Sequence, residues 1–382
     1  MCEAIVVGCG ITGSIVARYL AQERNLRVTI FERRGHIAGN LYDYVDESDI
    51  LVQRYGPHIF HTGKERVHAY ITRYADWNPF KLECMVEMNG KQTPSPFNFQ
   101  TIDDYFCAEK AETIKVNIAS AYPGQDMATI VDMLENANPV VKEYARFLYD
   151  NDYSRYTAKQ WGISPSEIDL NVLRRVPVLF SYKTGYFNEP YEMMPEGGYT
   201  AFVRSILDHS NIEIRLNSDI MEHLRVEEER KLLLYNGTSF AGPVVYTGML
   251  DQLFHMDKGL LPYRSLRFEW QTHPMDSYQA APVVAYPQAK GYTRITEYKK
   301  LPVQQVKGRT TIAVEYPCQY DGGYNAEPYY PIPTQKNEQM YEIYRSRAAK
   351  IPNLIISGRL AEYRYYDMDQ AIEAALRVCD TL

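Results

Sequence analysis

The sequence of 382 residues has no apolar run approaching the roughly 18 consecutive residues that a transmembrane helix needs, so no membrane insertion is expected. Its start, MCEAIVVGCG, lacks the basic, apolar and small-residue blocks of a secretory signal, and a cytoplasmic location is the expectation. Cysteine is sparse and scattered. Cys2, Cys9, Cys84, Cys107, Cys318 and Cys379 form no CxxC pair and do not cluster with histidine, which argues against a zinc site or a disulfide framework. No metal is expected. Positive charge is also lacking: 41 Lys and Arg stand against 48 Asp and Glu, a net charge of −7. This balance opposes a general nucleic-acid binder but permits one local basic pocket for a phosphorylated ligand. Phenylalanine is outnumbered, with 33 Tyr against 13 Phe and 3 Trp. Such an excess points to many places where an aromatic face and a hydroxyl are wanted together, as in a wet, concave site.

The length suits two or three domains, and there are no internal repeats or low-complexity linkers. The first forty residues read as strand (AIVVGCG), helix (ITGSIVARYLAQE) and strand (LRVTIFE), a βαβ unit. Gly8, Gly10 and Gly13 fit GxGxxG, and Glu32 closes the second strand where an acid meets a ribose hydroxyl. With strand, helix and acid in place, a dinucleotide site is favoured over a merely tight turn. Residues 63–160 then read as helices (KERVHAYITRYA, IDDYFCAEKAETIKVNIASAY, NPVVKEYARFLYDN) interrupted by a hairpin, LECMVEMNGKQTPSPF, that turns at Asn89-Gly90. From 175 to 192 and from 210 to 316 short stretches such as VPVLFSY, IEIRL, PVVYTG, LRFEW, PVVAY and TTIAVEY indicate a larger antiparallel sheet. LIISGRL and MDQAIEAALRVCDTL return to strand, turn and helix, an element expected to dock back on the opening unit. The fold class is α/β, a Rossmann-like core with an inserted helical bundle and an antiparallel β-sheet domain. The expected boundaries are about 1–62 with 195–250 and 350–382 for the core, 63–174 for the helical insertion with a mobile lid, and 175–194 with 251–349 for the sheet.

Several segments carry candidate chemistry. In RYGPHIFHT, His58 and His61 invite a metal reading, but no further ligand cluster is evident; a packed loop and a contact with a large planar partner read equally well. In YTAKQWG, Tyr156 and Trp161 are either core aromatics at a helix end or a platform for a flat base. The stretch 162–176, with Arg174-Arg175 late, would suit a lid that brings a cation over a phosphate. Arg294 in YTRITEY falls in a strand beside aromatic hydroxyls, a setting that fits an oxyanion pocket better than simple core.

In order along the chain, GCGITG, RYGPHIFHT, PFN, YTAKQWG, GGYT, YTRITEY, EPYYP and GRLAEYRYYDMDQ resemble the UDP-galactopyranose mutase family, and the match spans nearly the whole sequence. The resemblance implies an FAD-dependent isomerase, active with reduced FAD, that interconverts pyranose and furanose forms of a UDP-sugar and serves cell-surface polysaccharide synthesis. It implies attack of flavin N5 on the anomeric carbon, loss of UDP, a covalent sugar-flavin adduct, ring opening, reclosure as the furanose and return of UDP. It also implies a six-stranded sheet in the substrate domain; a homodimer is expected.

Matching the family motifs position by position assigns Arg175 and Arg294 to the pyrophosphate and, with His61, to catalysis. Tyr186, Tyr330 and Tyr365 take the positions of phosphate donors. Asn98, Tyr156, Thr157 and Trp161 match residues around uridine and sugar, and Glu315 matches a sugar-side carboxylate. For FAD the matching positions are Gly8, Gly10, Thr12, Gly13, Glu32, Arg33, Asn40, His58, Ile59 and Arg359. The set continues through Asp367, Met368, Gln370, Ala371 and Ile372, with Asp367 as the N-cap of a helix aimed at the flavin. Two positions depart from the pattern: Ala285 stands for a usual Asn near the substrate, and Ala38 for a usual Gly. The first leaves sugar identity open, so the alternatives are a mutase for an N-acetylated, deoxy or pentose nucleotide sugar and, beyond these, a flavin oxidoreductase or a binding protein without turnover.

Overall fold

The computed structural model describes residues 2–168, 170–174, 176–322 and 326–382. Five parallel strands form the first sheet, in the order Ile212–Arg215, Val28–Phe31, Ala4–Val7, Val244–Tyr246 and Leu354–Ile356. The inner three are fully buried, which is why AIVV, VTIF and VVY are continuous apolar runs rather than alternating ones. The order reverses at Ala4–Val7, so the crevice beyond the carboxyl ends of these strands is where an open α/β sheet takes a ligand. The helix Ile11–Gln22 follows immediately and packs against the C-terminal helix Met368–Thr381. That C-terminal helix buries Ile372, Ala375, Leu376 and Cys379, one stripe at helical spacing, which turns its first residues towards the crevice.

The second sheet has seven strands rather than six: Tyr330–Pro331, Tyr263–His273, Thr310–Gln319, Arg294–Glu297, Val283–Ala285, Cys84–Met88 and Lys91–Ser95. The hairpin at Asn89-Gly90 forms as expected, both residues with positive φ (51° and 75°), but it extends this sheet instead of interrupting the helices. Its strand Cys84–Met88 pairs parallel with Val283–Ala285, so the sheet is antiparallel except at that one pair. Three further expectations need correction. The stretches IEIRL and PVVYTG pair in the parallel sheet, within the boundaries expected for the core and not in an antiparallel sheet; the first is its half-exposed edge strand and the second a buried inner one. VPVLFSY contributes Pro177–Leu179 to a two-stranded pair with Met127–Thr129, and Tyr191–Pro195 joins Phe60–Thr62 and Trp77–Pro79; neither belongs to the seven-stranded sheet. GGYT, which carried only the family resemblance, is an anchor: the carboxylate of Asp43 accepts the N–H groups of Tyr199 and Thr200, at 2.6 and 2.8 Å, at the start of the helix Tyr199–Leu207.

The helical insertion holds its own core, built on Ile102, Ile114, Ile118, Val141, Tyr144 and Leu148. The long helix expected at 102–122 is two, Phe99–Tyr105 and Ala108–Ala121, broken by extended backbone at Phe106 and Cys107. After Pro139–Leu148 a π-helical turn, Tyr149–Tyr153, leads without interruption into the helix Ser154–Trp161, which Gly162 ends in the left-handed conformation.

Candidate active site

The parallel sheet, the helical insertion and the seven-stranded sheet enclose a cavity of about 1320 Å³. This exceeds the roughly 300–1,000 Å³ of a typical single-ligand pocket and leaves room for two.

One end is made of backbone. Gly8 has φ +96°, and a Cβ at Gly13 would stand 2.1 Å from the Gly8 carbonyl oxygen, so both glycines are required by close approach. At Gly10 a Cβ would meet only the Cα of Gly39, at 4.0 Å, so the space beside its backbone is free. No side chain caps the helix Ile11–Gln22, and Gly10, Thr12 and Gly13 line the cavity at its N-terminus. Buried Glu32 accepts from the N–H groups of Cys9 and Arg34, each at 2.9 Å, and also lines the wall. Arg33 and Asn40 are present beside it. Asn40 is tied to Arg34, which sequence reasoning missed; Arg34 donates to Asn40 Oδ1 at 2.9 Å and pairs with Glu327.

His58 and Ile59 form the floor. The His58 ring shares a 2.8 Å hydrogen bond between Nδ1 and the Gly56 carbonyl, which can only accept. Burial, then the charge of Arg359, push its pKa down to about 4, so the ring is neutral near pH 7 and Nε2 is an acceptor. His61 stacks on Phe187 with ring centroids 3.7 Å apart, its Nδ1 3.3 Å from Glu189. Arg359 lines the cavity and forms no ion pair among the described residues. Asp367, Met368 and Ala371 bring the start of the C-terminal helix to the wall. Asp367 and Gln370 make a capping box there, Asp367 N–H donating to Gln370 Oε1 at 3.0 Å. Gln370 and Ile372 stand outside the cavity wall, the first in that cap and the second fully buried in the core.

The other end is made of side chains. Arg294 Nε donates to Glu315 Oε2 at 2.8 Å. Burial opposes its charge, and Glu315, Tyr156 and Tyr330 together more than offset this, holding Arg294 above the usual arginine range. Glu315 is 2% exposed and lies behind Arg294; its Oε1 has no hydrogen-bond partner among the described residues. Tyr156, Thr157 and Trp161 all face the cavity from the helix Ser154–Trp161, as does Gln160, whose buried Oε1 also lacks a partner. Positions 156 and 160, and 157 and 161, are one turn apart, so one helix face supplies all four. Tyr186, Tyr330 and Tyr365 line the same end, with the last two rings stacked at 5.8 Å. Burial pushes the Tyr330 phenol up to about 12 and raises that of Tyr156 as well, so both remain donors. Asn98 is elsewhere: it is the N-cap of Phe99–Tyr105, accepting from Gln100 N–H at 2.9 Å and donating to the Lys183 carbonyl. Arg175 lies outside the described residues, and its neighbour Arg174 pairs with Asp132 on the surface at 2.7 Å. Sequence reasoning missed Asp152 and Arg264, which lie outside the family motifs, and Lys159, which sits inside YTAKQWG but was given no role. The π-helical turn that sets Asp152 into the cavity wall gives no pattern in the sequence.

Comparison with known proteins decides the family. The UDP-galactopyranose mutase profile matches residues 152–365, and an NAD(P)-binding Rossmann-like profile matches residues 6–74. The UDP-galactopyranose mutase of Mycoplasma genitalium is 34% identical over 387 residues, covering 100% of this chain and 94% of that protein. The chain belongs to the UDP-galactopyranose mutase family. Within this family of isomerases it is also similar to a dTDP-fucopyranose mutase of Escherichia coli, 33% identical over 379 residues, with 98% of this chain and 97% of that protein covered. The fold agrees with a crystal structure of reduced UDP-galactopyranose mutase, at a TM-score of 0.73 and 14% identity over 100% of this chain and 93% of that one. Among the described residues, no helix is long and apolar enough to cross a membrane and no cluster of His, Cys, Asp and Glu could hold a metal ion.

Proposed function

We propose that this mutase-family chain interconverts the pyranose and furanose forms of UDP-galactose with reduced FAD bound in the same cavity. The observation that carries the reading is the meeting, in one cavity of about 1320 Å³, of a backbone-lined dinucleotide site and a wall of arginine and tyrosine side chains. The residues fit FAD. Gly8 and Gly13 let the turn close on itself, Gly10 leaves open space beside its backbone, the uncapped helix start favours a pyrophosphate, and Glu32 would meet the ribose. Arg33, Asn40, His58, Ile59 and Arg359 would surround the rest, with Met368 and Ala371 at the start of the C-terminal helix. Bound there in reduced form, the flavin would supply an electron-rich nitrogen as nucleophile.

The chain's own residues then hold what leaves. Arg294, paired with Glu315, and the phenols of Tyr156, Tyr186, Tyr330 and Tyr365 offer donors to a diphosphate, with Arg175 as the proposed second cation. Fixed donors of this kind in a closed site stabilise developing charge more than water does. Tyr156, Thr157 and Trp161 form the platform for the base. Neutral His58 presents Nε2 as an acceptor, and His61 is proposed beside the reacting centre.

A second reading, a mutase for a 6-deoxy nucleotide sugar, draws on the dTDP-fucopyranose mutase relative and on Ala285. Ala285 pairs across the sheet with Val86 on one side and Arg294 on the other, giving an apolar wall beside the cation. A turnover panel with dithionite-reduced protein tests both. Conversion of UDP-galactofuranose to the pyranose supports the first reading, and preference for dTDP-fucose the second. Substrate-driven bleaching of oxidised flavin without isomerisation would sink both in favour of an oxidoreductase.

A further inference from the structure

The helix Ser154–Trp161 faces two ways. Tyr156, Thr157, Gln160 and Trp161 turn to the cavity, whereas Lys159 reaches into the loop 286–293, between the strands Val283–Ala285 and Arg294–Glu297. Lys159 Nζ donates to the carbonyls of Tyr286, Ala289 and Tyr292, each at 2.7 Å. Three acceptors match the three N–H bonds of an ammonium. Without the cation these carbonyls would converge with nothing between them, so the loop's path depends on it. The loop closes on itself through Tyr286 N–H and the Thr293 carbonyl at 2.8 Å and turns at Gly291, φ +86°.

Its two ends are Ala285 and Arg294, which face each other across the strand pair. A polar bridge of one side chain therefore joins the proposed base platform to the arginine proposed for the diphosphate. A second cation pins the same helix from another strand. Arg264 Nε donates to the Gln160 carbonyl at 3.1 Å and packs beneath Gly162, where a Cβ would come within 2.8 Å of its guanidinium.

We propose that Lys159 is a positioning residue of the nucleotide-sugar site: it sets the separation between the Tyr156–Trp161 platform and Arg294, so that one nucleotide reaches both. The inference rests on the mutase reading for the identity of the ligand, not for the geometry. A lysine that served folding alone would change stability and leave nucleotide affinity in the folded protein untouched.

The test compares Lys159→Met, Lys159→Arg and Gln288→Ala in the FAD-loaded full chain. Gln288→Ala removes the loop's amide links to Asn89 and Asn151 while leaving the three carbonyls engaged. UDP affinity is measured by calorimetry, kcat and KM are measured separately, and the flavin spectrum is recorded. Lys159→Met is expected to weaken UDP and raise KM by about tenfold or more, because small misplacements between binding groups are costly, with FAD retained and its spectrum unchanged. Lys159→Arg keeps the charge but offers a planar fork to three converging carbonyls and falls between; Gln288→Ala stays within about twofold of the unmodified chain. UDP affinity and KM within twofold for Lys159→Met would overturn the assignment. If Lys159→Met does not fold, Lys159→Arg carries the test, and affinity equal to that of the unmodified chain would overturn it. Loss of FAD by both variants would make Lys159 a folding residue and overturn it too. Because UDP binding needs no turnover, an unmodified chain that binds UDP without isomerising it sinks the mutase reading and leaves the positioning test standing. An unmodified chain that binds no UDP refutes both.

Discussion

From Gly8 to Gly13 the dinucleotide end of the cavity offers bare backbone and a helix start, all from one short stretch, while the opposite end assembles side chains from positions 152 to 365. The first is held by steric necessity, since main chain passes main chain with no room for a Cβ. The second is held by buried charge: Arg294 on Glu315, Lys159 on three carbonyls, Arg264 on the helix end. Backbone sites fail when a carbon is added, and charge sites fail when a partner is removed.

The largest effect is expected at the backbone end. In Gly13→Ala the new methyl would lie 2.1 Å from the Gly8 carbonyl oxygen and 3.2 Å from Val6 Cγ1, in a region already fully packed. The first strand and helix must separate, costing about 4 kcal/mol or more, and the protein should be isolated without flavin colour. Tight FAD binding and an unchanged Tm in this variant would break the comparison.

At the charged end, Arg294→Met leaves Glu315 buried and unpaired, which costs about 3–5 kcal/mol, whereas removing both charges in Arg294→Met/Glu315→Gln should recover most of the stability. Turnover behaves differently. Both variants should lose on the order of a hundredfold or more in kcat, because the cation aimed at the departing diphosphate is gone in each. Chemical denaturation and steady-state rates on the same two proteins separate the roles.

The contrast also explains what could be read from sequence. Gly8, Gly10, Gly13 and Glu32 follow from local spacing, since a strand, a tight turn and a helix put them together without help from elsewhere. Tyr156 and Trp161 were legible as a helix face. By contrast Asn98 carried a motif but serves as a helix cap, and Gln370 does the same, because a short polar side chain before or within a first helical turn finds backbone N–H groups more readily than a distant ligand. Lys159 lies inside YTAKQWG, yet its role was not legible: its three acceptors are backbone carbonyls more than a hundred positions away, and carbonyls leave no trace in residue identity.

A smaller effect is expected from Asp152 at the charged end. Burial pushes its carboxyl up from 3.8 to about 7, with Lys159 opposing the rise. Between those values the folded chain binds a proton that the unfolded chain has released, so this group's stability is full below pH 3.8 and is lost as pH rises through about 7. Asp152→Asn removes that loss. The variant should match the unmodified chain near pH 4 and exceed it by about 1–2 kcal/mol at pH 8, less than the roughly 4 kcal/mol of the full shift because Asp152 is only half-buried and partly screened by water, as read by denaturation across the range. A constant difference at all pH values would place the effect in packing instead.

The smallest effect sharpens the backbone end. Ala38, where the resemblance led us to expect glycine, is fully buried with φ +72°, in the left-handed region, and is followed by Gly39, where a Cβ would approach Gly10 Cα to 2.9 Å. In Ala38→Gly, relief of the left-handed strain is worth about 1–2 kcal/mol. Greater freedom of the unfolded chain opposes this by about 0.4–1 kcal/mol, and loss of a buried methyl by about 0.8 kcal/mol. These nearly cancel, so stability should move by less than about 1 kcal/mol, as read by denaturation. A gain well beyond that would mean that the strain at Ala38 is larger than its φ implies and that packing around the methyl contributes little. A comparable loss would mean that the methyl fills space which holds Gly39 against Gly10, making this alanine a structural part of the turn rather than a tolerated departure.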